Sequence, residues 1–294
     1  MPNKNKINLG ILALLGAAAS WGTMGVLVRF LNREITLFSQ ILFRFIAAFL
    51  LSSIPFLLKK RKFKLASKKD YFVILIIGVF GYALSTVFYT LAMLNTTISA
   101  GTFIFSMYIL TTPILAFLLL KERVNPRLGK ALIIALIGAV FIFNPTGLLI
   151  NFKGNFYALI GSLLFAVYLI GSRYLNQKNS PEVVTLYSIL LGVMVMLPIA
   201  IIFEKPLSLS ISLYSWIFVF LFALANFSAF YLANIGFSKV KASTGSMILM
   251  MENVFATLFA LVIFLEMPSI TTFLGAILII SSVVYLNLGK IDKI

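Results

Sequence analysis

Two charges stand where a charge is hardest to keep. Arg44 lies about nine residues into one apolar run and Glu252 about twelve residues into another. An ionised, unpaired carboxylate deep in a bilayer is unfavourable, so Glu252 must be protonated, paired or beside water. That makes it a candidate substrate-binding group and a candidate proton carrier. Arginine keeps its charge, so Arg44 needs an anion, a water-filled cavity or an ion-pair partner. Gln40, one turn before Arg44, extends the same polar stripe. The plainer alternatives are a structural hydrogen bond for Glu252 and a structural ion pair or snorkelling for Arg44.

Around these charges the sequence offers aromatic, hydroxyl and amide groups. Gly101, Phe105, Tyr108 and Thr112 recur at helical spacing and share one face, as do Gly245, Leu249, Glu252 and Ala256. Trp21 falls in the middle of the first apolar run rather than at an interface belt. Tyr82, Tyr168 and Asn226 complete the primary substrate-binding candidates. Tyr89, Tyr231 and Asn234 stand behind them. Each has a competing role as core aromatic or helix-joining amide.

Other chemistries lack their residues. The chain has no Cys and no His, which removes disulfides, thiolate or imidazole metal sites and His-activated nucleophiles. Asp70 and Asp292 are the only aspartates, and both lie near the surface. No GxxxxGK[ST] phosphate loop occurs. We therefore expect no cofactor, no metal and no enzymatic activity. A net charge of +16 invites a nucleic-acid reading. The basic residues form short clusters between apolar runs, a pattern of membrane topology, so no nucleic-acid partner is expected.

The elements that must position these groups are membrane helices. Hydrophobic residues make up 61% and charged residues 11% of the 294, against roughly 25% charged in soluble domains. The 50 residues from Tyr71 to Leu120 carry no charge, more than two spans of about 20 residues require, with a hinge expected at Asn95-Thr96-Thr97. Ten spans follow, at about 9–30, 36–58, 71–94, 98–120, 128–146, 155–174, 182–203, 213–236, 241–265 and 269–289. With the N-terminus inside, cytoplasmic segments hold 19 Lys and Arg against four outside (Arg29, Arg33, Lys153 and Lys205). Both termini are thus expected in the cytoplasm.

The second half repeats the first at a displacement of 144 residues. Arg29-Phe30-Leu31-Asn32 matches Arg173-Tyr174-Leu175-Asn176, Gly10 matches Gly154, Gly101 matches Gly245, and Glu122 matches Glu266. The displacement drifts to 142 at Phe88-Tyr89 and Phe230-Tyr231, and to 146 at Gly129 and Gly275. Five spans per repeat is an odd number, so the second repeat is inverted. The expected units are residues 1–146 and 147–294. Inverted repeats suit alternating access around a midplane site, and the repeat relates Tyr108 to Glu252.

These features together resemble the drug/metabolite transporter superfamily, and within it the EamA-type ten-helix carriers. The resemblance is carried by Trp21-Gly22-Thr23, Arg44-Phe45, Thr111-Thr112-Pro113 with Lys121-Glu122-Arg123, and Met251-Glu252-Asn253-Val254-Phe255-Ala256 with Leu265-Glu266. Asn253 departs from the pattern, which commonly has proline there, and Pro113 stands closer to Glu122 than usual. The resemblance implies an all-α polytopic protein of the plasma membrane that moves a small metabolite, such as an amino acid, nucleoside or drug-like compound, often by efflux. It also implies a cavity lined by helices 1, 3, 4, 6, 8 and 9, with helices 5 and 10 packed behind. The expected partners are a small-molecule substrate and the lipid bilayer, and a homodimer is compatible with the architecture. A passive channel or membrane scaffold is the second reading, and a membrane-embedded enzyme the third.

Overall fold

With no water to satisfy backbone groups in the hydrocarbon, a continuous apolar run must close its hydrogen bonds within itself as a helix. A computed structural model describes residues 4–31, 34–59, 63–96, 98–122, 126–143, 151–204, 211–264 and 269–288. Asn32, Arg33, Lys60-Arg61-Lys62, Thr97, Arg123, Lys205, Leu265-Glu266, Lys290 and Lys293 lie outside the described residues, as does the side chain of Arg29. So does the expected division between units at 146/147.

The described residues form ten membrane helices. α1 is Lys4–Gly22 continued by Met24–Leu31, and α2 is Leu37–Lys59. α3 runs through Lys68–Ile76, Ile77–Leu84 and Ser85–Asn95. α4 is Ile98–Phe105 followed by Tyr108–Leu120, and α5 is Pro126–Phe143. The second set is α6 (Phe152–Asn176), α7 (Pro181–Phe203), α8 (Leu213–Phe237), α9 (Ala242–Leu249 then Met251–Phe264) and α10 (Ile270–Leu288). Among these, α2, α3, α4, α6, α7 and α8 are each long and apolar enough to cross a bilayer by length and composition. Leu57, Leu58, Phe152, Phe203 and Ile270 are exposed, as lipid-facing side chains should be.

Packing follows a pseudo-twofold relation between the two sets of five. α2 packs on α7, α4 on α9, and α5 on α10, each helix meeting its own counterpart. The remaining contacts come in mates: α1 with α8 and α6 with α3, α1 with α9 and α6 with α4, α2 with α8 and α7 with α3. α5 and α10 otherwise rest mainly on α4 and α9. Gly10 and Gly154 show why the repeat keeps glycine at that place. A Cβ on Gly10 would meet Val240 and Lys239 at 2.9 and 2.8 Å, and one on Gly154 would meet the Asn95 backbone at 2.6 Å. Each lets its helix close on the end of α8 or α3.

The irregularities carry positional information. α4 breaks at Ser106-Met107 and α9 at Met250, positions equivalent in the repeat. At both, the chain tightens into a three-residue turn: Ile109 N–H donates to the Ser106 carbonyl and Asn253 N–H to the Met250 carbonyl, each at 3.1 Å. α3 spans 28 residues where α8 has 25. Its middle, Ile77–Leu84, winds as a π-helix, and a π turn takes about one residue more than an α turn. The capping serines Ser67 and Ser212 are 145 residues apart, whereas Tyr89 and Tyr231 are 142 apart. The π segment takes up about two of these three residues.

Candidate functional site

Two helix breaks at matched positions mark the place where the repeats meet. Broken helices in corresponding places of two halves point to a binding site in transporter folds. Tyr108 opens the second half of α4 and Glu252 lies in the first turn of the second half of α9. The Tyr108 hydroxyl donates to Glu252 Oε1 at 3.4 Å. Beside them Asn253 Nδ2 donates to Ser106 Oγ at 3.3 Å, joining the two breaks. Asn253, where the family pattern has proline, thus supplies a side chain that bridges α9 to α4.

Trp21 meets Phe165, its repeat equivalent, edge to face at 5.3 Å, and Phe230 at 5.2 Å. Phe165 also approaches Tyr108 at 5.0 Å. Phe230 touches Tyr82 at 4.6 Å and Tyr168 at 5.0 Å. These rings form one aromatic cluster between α1, α3, α4, α6 and α8. Tyr82, within the π segment, donates its hydroxyl to Asn226 Oδ1 at 2.6 Å. The Tyr168 hydroxyl accepts instead from Asn234 Nδ2 at 3.0 Å. Asn234 also binds Ser172, Asn176 and Thr185. This amide is a satisfied hub that ties α6, α7 and α8 together.

Arg44 is 1% exposed and Gln40 is fully buried. Arg44 Nη2 donates to Thr90 Oγ1 at 3.1 Å, and its guanidinium carbon sits 4.3 Å from the Phe222 ring centroid. No carboxylate lies within ion-pair distance of it among the described residues. The structure therefore does not pair Arg44 with Glu252. Among the described residues, Arg44 Nε and both amide atoms of Gln40 have no hydrogen-bond partner, and neither has Thr112 Oγ1. Each such atom costs about 1–3 kcal/mol; cation–π contacts with Phe222 and, at 5.8 Å, with Phe45 are the other stabilising contacts of the guanidinium.

All nine sequence candidates are buried. Trp21, Tyr82, Tyr108, Tyr168, Asn226 and Glu252 gather around the aromatic cluster, while Arg44, with Gln40 one turn before it on α2, meets Thr90 of α3 and Phe222 of α8, and Thr112 lies one turn after Tyr108 on α4. Sequence reading missed Phe165, Phe222 and Thr90. Adding 144 to Trp21 would have found Phe165; nothing in the sequence marks the other two.

The ends of the bundle carry polar latches. On the face where α1 begins and α10 ends, Glu122 accepts from Ala242 N, Ser243 N and Ser243 Oγ at 3.1 to 3.3 Å. It also lies 3.5 Å from Arg173 Nε, and Arg173 Nη1 donates to the Phe237 carbonyl at 2.8 Å. One carboxylate so gathers the ends of α4, α6, α8 and α9. Lys121, left-handed with φ 55°, makes the turn that places it. On the opposite face Glu34 caps α8 through Ser212 and Ser215, and Glu204 caps α2 through Phe38 and Ser39. The hydrogen bonds from Ser212 and Ser215 hold the Glu34 carboxyl below its ordinary value of 4.5.

The profile of the EamA-like transporter family matches residues 8–144 and again 152–288. The chain belongs to that family. It is a multi-pass membrane transporter of ten helices in two inverted EamA-like repeats. A relative from Archaeoglobus fulgidus, described as an uncharacterized transporter, is 26% identical over 220 residues, covering 75% of this chain and 69% of the relative. Another from Clostridium kluyveri, with the same description, is 23% identical over 230 residues, covering 76% and 74%. A solved crystal structure of another protein superposes with a TM-score of 0.79 over 95% of this chain and 96% of its own, at 20% identity. That likeness is one of fold. In this EamA-like transporter the breaks of α4 and α9 fall at equivalent positions of the two repeats.

Proposed function

We propose that this chain is a secondary carrier that exports a small metabolite across the plasma membrane by alternating access. Its two repeats, residues 1–146 and 147–294, would rock about the axis through Trp21–Phe165 and Tyr108–Glu252. The observation that carries this reading is the pair of equivalent breaks at Ser106-Met107 and Met250, with Tyr108 of one repeat bound to Glu252 of the other. A scaffold gains nothing from two broken helices at its centre, and a channel calls for rings of repeated polar side chains.

Trp21, Tyr82, Tyr108, Thr112, Tyr168 and Asn226 supply the wall of the substrate site. Glu252 is the proton-coupling residue, with Tyr108 as its partner when no substrate is bound. The face bearing the termini is cytoplasmic, as the 19-to-four division of Lys and Arg supports. The exposed apolar belt leaves room for a homodimer within the lipid.

Counterflow in proteoliposomes separates a carrier from a channel. Vesicles preloaded with an unlabelled transported metabolite should take up the radiolabelled one faster than empty vesicles. Equal rates in loaded and empty vesicles would refute alternating access.

A further inference from the structure

We propose that the start of α3 and the turn between α6 and α7 form a headgroup site for an anionic phospholipid. Lys69 and Lys178 flanking Tyr174 are its polar end, and the exposed face of α3 is the track for an acyl chain. The site lies at the rim of the bundle and is independent of the substrate carried.

Two lysines from the two halves of the chain converge on one ring. Lys69, in the first turn of α3, places its ammonium 5.7 Å from the Tyr174 ring centroid, and Lys178, just after α6, places its own at 5.6 Å. Among the described residues neither forms an ion pair. Lys64 and Lys68 are exposed on the same segment as Lys69. The acids at this end are engaged. Asp70 is fully buried and accepts from Asn179 at 3.1 Å, and Glu182 accepts from Tyr231 at 3.3 Å.

The platform that carries these lysines is fixed. Leu65 is buried, and its N–H donates to the Tyr71 hydroxyl at 3.2 Å. Ala66 N–H donates to Asn179 Oδ1, and the Tyr187 hydroxyl to the Phe63 carbonyl, each at 2.8 Å. Phe63 stacks on Phe56 at 4.5 Å and stays exposed on its other side. Lys68, Phe72 and Leu75 share one face of α3, at i, i+4 and i+7, and Phe72 and Leu75 are exposed. Ammonium groups at the head of an exposed apolar stripe match a phospholipid, its phosphate at the lysines and its chain along Phe72 and Leu75.

Topology alone does not require this arrangement. The positive-inside rule asks for charge near a span, not for two lysines from different elements at one ring. The fold does not require it either. At the opposite end the repeat sets Phe30, Glu34 and Tyr214 in the places of Tyr174, Lys178 and Lys69, at displacements of 144, 144 and 145. A carboxylate stands there and no lysine. Residues 59–69 hold seven Lys and Arg and no acid. That excess selects a headgroup of net negative charge, such as phosphatidylglycerol, over phosphatidylcholine, whose choline cancels its phosphate.

The test is thermal unfolding of the purified full chain in detergent, titrated with phosphatidylglycerol or with phosphatidylcholine of the same acyl chains. Phosphatidylglycerol should raise the melting temperature more at every concentration. Lys69→Gln with Lys178→Gln should melt like the parent in phosphatidylcholine. It should need about thirtyfold more phosphatidylglycerol for the parent's shift, the product of two lysines at an anionic surface. If that pair does not fold, Lys178→Gln alone carries the test, with a loss of about fivefold. Lys69→Arg with Lys178→Arg should keep the preference. So should Lys121→Gln with Lys130→Gln, which removes two exposed charges at the same end of the bundle.

Equal stabilisation by the two lipids overturns the site. So does a glutamine pair at Lys69 and Lys178 that keeps the preference, or a pair at Lys121 and Lys130 that loses it as fully, because the attraction is then diffuse. Inorganic phosphate that shifts the melting temperature as phosphatidylglycerol does would remove the lipid as the occupant.

Discussion

Trp21 and Phe165 meet edge to face at 5.3 Å although 144 residues separate them. That separation is the length of the internal repeat, so each ring packs against its own counterpart. A residue meets its equivalent only beside the axis that relates the halves. Tyr108 and Glu252 do the same. The coupling should be measurable. Trp21→Leu and Phe165→Leu, singly and together, should give an interaction energy of about 1 kcal/mol in a double-mutant unfolding cycle. Additive effects would mean the rings do not touch.

Glu252 and Arg44 have separate partners, Tyr108 and Thr90. Glu252→Gln should therefore fold like the parent, since the glutamine carbonyl still accepts from Tyr108 and Arg44 loses nothing. The variant should lose accumulation driven by a pH gradient and retain substrate exchange. Radiolabel uptake with and without the gradient reads both. Full accumulation by Glu252→Gln would show that the proton travels elsewhere.

Glu122 caps the start of α9 and pairs with Arg173. Arg173 beside it is 4% exposed, so Glu122→Ala strands a buried cation and two helix-start N–H groups. The loss should be about 3 kcal/mol, visible as a lower melting temperature. Glu122→Gln keeps an acceptor for one of the two helix-start N–H groups and should cost less. In a chain with cysteine introduced at Ala256, Glu122→Gln should also raise labelling by water-soluble reagents from the face bearing the termini.

Glu34 sets an acid dependence. Its folded value lies below 4.5, so its contribution is present above about 4.5 and lost as pH falls through the lower folded value. The melting temperature of the parent should fall as pH drops below about 4.5. Glu34→Gln should fall less over that range, while starting lower at neutral pH. Identical slopes would remove Glu34 from the acid response.

The spans were legible because lipid forces apolar runs into helices, and α3 ends at Asn95, the first residue of the hinge expected at Asn95-Thr96-Thr97. The start of α2 at Leu37 and of α7 at Pro181 fall within a residue of the expected 36 and 182. The breaks at Ser106-Met107 and Met250 were not legible, for neither holds Gly or Pro. Packing across the axis sets them, through Tyr108, Glu252, Ser106 and Asn253. The drift from 144 to 142 was visible at Phe88-Tyr89, but its cause, the π winding of Ile77–Leu84, is a property of local hydrogen bonding that periodicity does not encode. Arg44 and Glu252 announced themselves by charge. Thr90 and Phe222, which hold Arg44, are ordinary apolar-run residues and gave no sign.

The central claim is that two inverted repeats rock about the axis through Tyr108 and Glu252. Spin-label distances at both ends of the bundle test it most directly. Cysteines at Lys121 and Lys241 report the gap between α4 and α9 on the face bearing the termini, and cysteines at Asn95 and Lys153 report the gap between α3 and α6 on the other. Substrate should lengthen one distance distribution while it shortens the other. Two distances that change in the same direction, or neither changing while substrate is transported, would contradict the account.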